Sequence, residues 1–136
     1  MLSRFHGRAL VGGLGLVLAV VVGWASWGLS AAGAPQAKKE VRVSAHKYAF
    51  AVEGQATPRI EVQQGDVVHI TFTADDIAHS FTIDEYRIAK RAEPGKPISF
   101  DILADKVTNG PVTFYCNLTL DDGCKKMRGE FIVTKR

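Results

Sequence analysis

The stretch Phe114–Phe131, FYCNLTLDDGCKKMRGEF, holds both cysteines of the chain and one of its two methionines. Apolar runs flank it: Val112 leads in, and Phe131, Ile132 and Val133 lead out. In a strand, alternate side chains share a face. Cys116 is therefore in phase with Val112 and Phe114, and Met127 with Gly129, Phe131 and Val133. Asp121-Asp122-Gly123 is a turn signature that reverses the chain before Cys124. The stretch reads as strand, loop, strand. Further upstream, His79 shares a phase with Phe81 and Ile83. If these strands face one core, one imidazole and two sulfur groups meet at one end of it.

The rest of the exported region supports such a core. Short apolar runs alternate with the turn signals EGQATP, QQGD, EPGKP and TNGP. Strands are predicted over 40–50, 58–63, 66–73, 79–84, 97–103, 111–117 and 128–134. Strands at this spacing predict an all-β fold, an antiparallel β-sandwich. Val68, Ile70 and Phe72 face inward, which turns His69 and Thr71 away. In the first strand Val41, Val43 and Ala45 share one phase, and Tyr48 and Phe50 the other. A bulge near His46 and Lys47 is the expected cause. His46 and His69 read as surface residues.

The N-terminal third differs. Residues 9–28 carry no charge, and a helix of that length spans about 30 Å of hydrocarbon. Trp24 and Trp27 lie near its far end, where amphipathic rings favour a membrane interface. A cleaved signal peptide is the alternative, but this run exceeds the usual ~7–15 apolar residues. Residues 1–28 are thus expected to be a cytoplasmic tip and transmembrane anchor, 29–38 a linker, and 39–136 the exported domain. Arg4 and Arg8 orient the tip inward, so the domain lies on the periplasmic or extracellular side, or is secreted if the segment is cut. Without those two arginines the basic count falls from 17 to 15 against 14 acids, so the net charge drops from +3 to +1. That balance gives no support to nucleic-acid binding. No phosphate-binding loop, zinc-type cysteine pair or hydrolytic triad spacing is present, and no small-molecule substrate is indicated.

A histidine, a cysteine thiolate and a methionine thioether form a soft donor set of the kind that selects copper. At this point the sequence resembles the cupredoxins, and within them the periplasmic domain of cytochrome c oxidase subunit II and its small membrane-anchored relatives. The resemblance covers about residues 39–134 and rests on three stretches. These are VRVSAHKYAF, IEVQQGDVVHITFTADDIAHSFTIDEY and FYCNLTLDDGCKKMRGEFIV. It implies a Greek-key sandwich, with His79 as the upstream imidazole ligand, Cys116 as thiolate and Met127 as weak ligand. The dinuclear copper loop of subunit II reads Cys-x3-Cys-x3-His-x2-Met. With its first cysteine on Cys116, its methionine falls on Met127, but its second cysteine falls on Leu120 and its histidine on Cys124. A dinuclear centre is therefore not expected, and a mononuclear copper held by His79, Cys116, Cys124 and Met127 is.

The resemblance implies a non-enzymatic electron carrier for a redox protein or oxidase partner. Two other functions compete with it: a Cu(I) carrier, and a metal-free accessory subunit locked by a Cys116–Cys124 disulfide. Outside the cytoplasm such a disulfide can form, and closing so short a loop contributes roughly 2–3 kcal/mol. Lys125, Lys126 and Arg128 beside the loop read as a solvated edge that can also steer an acidic partner. Asp75-Asp76 and Asp121-Asp122 read as loop carboxylates.

Overall fold

A computed structural model describes residues 36–119 and 121–136. The expected anchor, and the linker up to residue 35, lie outside the described residues. No helix among those described is long and apolar enough to cross a membrane. The described domain is all-β, as expected, but has more strands than the sequence suggests. In chain order they are β1 (Lys38–His46), β2 (Ala49–Val52), β3 (Arg59–Gln63), β4 (Val67–Ala74), β5 (His79–Ile83), β6 (Ile88–Ala92), β7 (Ile98–Leu103), β8 (Val112–Tyr115) and β9 (Arg128–Thr134).

Two sheets face each other, ordered β2-β1-β4-β7 and β3-β9-β8-β5-β6. Each contains one parallel pair: β1 beside β4, with Val43 opposite Phe72, and β3 beside β9, with Ile60 opposite Phe131. The sandwich is thus mixed rather than purely antiparallel. Parallel neighbours need a connection that leaves the sheet and returns. Here β2 and β3 lie between β1 and β4 in sequence, and the second parallel pair encloses the whole middle of the chain.

Two strand expectations need correction. The single bulged strand over 40–50 is a hairpin: β1 ends at His46, the chain turns at Lys47-Tyr48, and Ala45 pairs with Phe50. Reversal, not a bulge, moves Phe50 into the opposite phase while keeping it buried. β6 was not expected at all. Its sequence IAKRA buries only Ala92, because it pairs with β5 on one side alone. Charged residues on an edge strand also discourage pairing with another chain.

Inward-facing residues follow the predicted phases. Val68, Ile70 and Phe72 of β4 are buried, as are Phe81 and Ile83 of β5 and Phe131 and Val133 of β9. Five phenylalanines, Phe50, Phe72, Phe81, Phe114 and Phe131, lie in the buried core, and Phe100 packs against it. Phe81 stacks on Phe114 with centroids 4.7 Å apart, and Phe50 meets Phe114 edge-on at 5.2 Å. Such pairs add about 0.5–1.5 kcal/mol each beyond their buried area.

Two glycines permit close approaches at and beside the segment between β8 and β9. Phe114 lies opposite Gly129 across β8 and β9, and a Cβ on Gly129 would sit 2.0 Å from the Phe114 ring. The aromatic ring occupies the volume that a side chain would take. Likewise, a Cβ on Gly123 would sit 2.2 Å from the ring of Tyr48. Gly129→Ala should therefore destabilise the domain by about 1–3 kcal/mol through overpacking. Urea unfolding of the two proteins checks this; an unchanged midpoint would show that Phe114 can move aside.

Candidate metal centre

The ends of β5 and β8 and the loop into β9 bring three of the four expected donors, His79, Cys116 and Cys124, together. His79 opens β5, Cys116 directly follows β8, and Cys124 begins a short 3-10 turn, Cys124–Lys126, that leads into β9. One donor atom from each of His79, Cys116 and Cys124 lies within 4.8 Å of the other two. His79 Nδ1 is 3.9 Å from Cys124 Sγ. All three residues are at most 1% exposed. Both cysteines are free, so the structure is that of the dithiol form.

Each donor is held by neighbours. Ser80, next to His79, directs its backbone N–H at Cys116 Sγ, 3.5 Å away. The Ser80 hydroxyl lies 3.7 Å from the same sulfur but only 2.7 Å from Asn117 Oδ1, and it accepts the Asn117 N–H at 2.8 Å. Its single proton goes to the nearer oxygen, so the amide is the donor that matters to the sulfur. The Cys124 N–H donates to Asp121 Oδ1 at 2.9 Å, and the Tyr48 hydroxyl donates to Asp121 Oδ2 at 3.3 Å. Asp121 thus caps the 3-10 turn, and Tyr48 tethers it to the β1–β2 hairpin. On the other side, His79 Nε2 lies 2.8 Å from Asp76 Oδ1, and that carboxylate accepts the Ile77 and Lys47 N–H groups at 2.7 and 2.6 Å. Met127 is 1% exposed, and its N–H donates to the Cys124 carbonyl at 3.1 Å. The turn therefore fixes where the Met127 side chain starts, at the head of the inward row Met127, Gly129, Phe131 and Val133.

The electrostatics explain what such a cluster needs. Burial, then the neighbouring Cys116 sulfur and the Asp121 carboxylate, push the Cys124 thiol up to about 12. Two thiolates side by side in a dry site repel each other, and desolvation favours the neutral forms. A bound cation reverses that balance, because coordination deprotonates a thiol outright. Asp76 behaves oppositely. Partial burial pulls its carboxyl up, but the Ile77 and Lys47 amides and His79 outweigh that and hold it at about 2. The donors brought together, one imidazole nitrogen and two sulfurs, fit a soft metal ion.

Other expected features fall outside the cluster. His69 lies on the outer face of its sheet, with Nδ1 2.5 Å from Asp101, and His46 is exposed at the end of β1. Among the described residues, only His79, Cys116 and Cys124 form a convergent His/Cys/Asp/Glu group. Lys125 pairs with Asp122 at 3.2 Å, and the Arg128 guanidinium stacks over Tyr115 at 5.2 Å. Asp76, Ser80, Tyr48 and Asp121 were not recognisable as supports from the sequence. An Asp three residues before a strand-opening His was the one available signal.

No protein-family model matches the chain, and no curated protein does either. Solved structures do. A chain of a heme-copper terminal oxidase dimer matches with a TM-score of 0.64 and 25% identity, over 74% of this chain and 66% of that one. The periplasmic domain of subunit II of cytochrome oxidase from Bradyrhizobium japonicum matches with a TM-score of 0.62 and 15% identity, over 74% of this chain and 87% of that one. Copper nitrite reductase from Nitrosomonas europaea matches with a TM-score of 0.58 and 20% identity, over 73% of this chain and 42% of that one. The chain thus spans just under two thirds of the oxidase chain and less than half of the reductase. The described domain has the cupredoxin fold, shared with the periplasmic domain of cytochrome oxidase subunit II.

Proposed function

We propose that the chain is an exported, membrane-anchored protein that holds one copper ion and carries single electrons to or from a respiratory partner. The observation that carries this reading is the buried convergence of His79, Cys116 and Cys124 within 4.8 Å. His79 supplies nitrogen, Cys116 and Cys124 supply thiolate, and Met127 supplies a weak thioether contact. Bound there, copper would supply a one-electron couple whose potential depends on hydrogen bonding around the sulfur and on the weak ligand. The chain's own residues limit rearrangement. The donors sit on strand ends and a capped turn, and the Ser80 amide faces the Cys116 sulfur.

The donor inventory supports a mononuclear centre in this reading. Leu120 stands where the dinuclear loop has its second cysteine, and its side chain has no lone pair to bridge two ions. The domain acts in this reading as a carrier, not a catalyst. Residues 9–28 anchor it, with the domain on the periplasmic side.

Delivery of Cu(I) is the second reading, favoured by the two sulfurs in one site. Delivery by ligand exchange requires an acceptor's donor atoms to reach the metal. Here the three donor residues are at most 1% exposed, so the turn at Cys124 would first have to open. Burial therefore favours a resident ion over a cargo.

Thiol titration of the purified, unreduced protein should find two free thiols, and copper loading should give one ion per chain. Cys116→Ser should weaken and shift the thiolate-to-copper band and Cys116→Ser with Cys124→Ser should abolish it, whereas Met127→Leu should keep the copper and shift the band. An absence of free thiols would sink both copper readings and favour the disulfide-locked subunit. A colourless complex that holds only Cu(I) would favour delivery. The loop length also predicts that the double variant Leu120→Cys, Cys124→His takes up two copper ions per chain. Metal analysis reads this directly, and a ratio that stays at one would show that the dinuclear geometry needs more than these ligands.

A further inference from the structure

Asp76 meets the ring nitrogen of His79 that points away from the sulfurs. Its Oδ1 lies 2.8 Å from Nε2, while the opposite nitrogen, Nδ1, lies 3.9 Å from Cys124 Sγ. Backbone amides orient this carboxylate independently of the histidine. Ile77 N–H donates to Oδ1 at 2.7 Å, and Lys47 N–H, from the β1–β2 turn, donates to Oδ2 at 2.6 Å. His79 is fully buried, whereas the Asp76 side chain is 32% exposed. The ring therefore has one polar neighbour on each side: a fixed carboxylate and a sulfur.

An ionised carboxylate only accepts hydrogen bonds. Facing it, a neutral imidazole keeps its proton on Nε2, which leaves the Nδ1 lone pair on the side of the Cys124 sulfur. A metal-ligating histidine whose far N–H meets a carboxylate has a fixed tautomer and a more basic ligand nitrogen. We propose that Asp76 is a positioning residue. It sets His79 in the Nε2–H tautomer before any metal arrives, and the Lys47 amide of the β1–β2 turn holds Asp76 in place. The consequence for copper rests on the proposed function. The tautomer does not, because it belongs to the metal-free chain. A more basic imidazole favours the higher oxidation state, so Asp76 also lowers the reduction potential of a copper held there.

Long-range proton–nitrogen correlation spectra of the metal-free protein at mildly alkaline pH report the tautomer. In the parent protein His79 should be Nε2–H alone. In Asp76→Asn both tautomers should appear, because an amide can donate to the ring as well as accept from it. The same variant should lose about 10–100-fold in copper affinity, and its reduction potential should rise. A thermal melt of each protein separates these effects from unfolding. A predominantly Nδ1–H ring in the parent would overturn the proposal, even if the variant failed to fold. So would an Asp76→Asn protein with unchanged tautomer and affinity. If the parent shows Nε2–H but binds no copper, the copper reading fails and the positioning role stands.

Discussion

The stacking of Phe81 on Phe114, at 4.7 Å between centroids, is the contact on which the rest of the site depends. Phe81 is two residues after His79, and Phe114 two residues before Cys116. Because side chains alternate along a strand, any pair that joins these rings in the core also brings His79 and Cys116 to the same end. β5 and β8 share little ladder, with Thr82 opposite Tyr115 as their paired register. Ring packing therefore positions the donors at least as much as backbone pairing does. Gly129 completes the arrangement: without a side chain, it lets β9 pass close to Phe114 and bring Met127 to the same end.

The donor cluster is costly to build. It places an imidazole and two thiols in a dry region, and burial, the neighbouring Cys116 sulfur and the Asp121 carboxylate push the Cys124 thiol up. Such groups are stable together as neutral species or as ligands of a cation. Apart from the Ser80 amide on Cys116 Sγ, the surrounding polar contacts brace the backbone and the far side of the ring. Asp121 caps the turn at Cys124, Asp76 backs His79, and the Lys47-Tyr48 turn contacts both carboxylates through one amide and one hydroxyl. A single hairpin turn thus braces two loops from opposite sides of the site. The lack of a side chain at Gly123 lets the Tyr48 ring lie against the loop it tethers.

Much of this was legible in the sequence because strand periodicity is local. The phases of Val68-Ile70-Phe72, His79-Phe81-Ile83, Phe114-Cys116 and Met127-Phe131-Val133 all match the buried rows. What failed were cases where two structures share one local pattern. A phase switch at His46 and Lys47 suits a bulge or a hairpin equally, and only the pairing of Ala45 with Phe50 separates them. β6 carries Lys90 and Arg91 because an edge strand needs no second apolar face, so its composition resembled a loop. Parallel pairing of β1 with β4 leaves no short-range signal, since β2 pairs with the other edge of β1 and β3 joins the opposite sheet.

The sequence by itself determined the phase of the candidate donors: which side chains face the core, and that His79, Cys116 and Met127 end inward rows. These are properties of residue type and of a two-residue repeat, and neither requires knowledge of distant contacts. Tertiary structure decided which strands are neighbours, that Cys124 joins His79 and Cys116 within 4.8 Å, and that Asp76 and Asp121 are supports rather than solvated loop acids. Those outcomes depend on packing between segments tens of residues apart, such as the Lys47 amide on the Asp76 carboxylate. Periodicity along one strand cannot encode a meeting of that kind; it arises when two sheets close on a shared aromatic core.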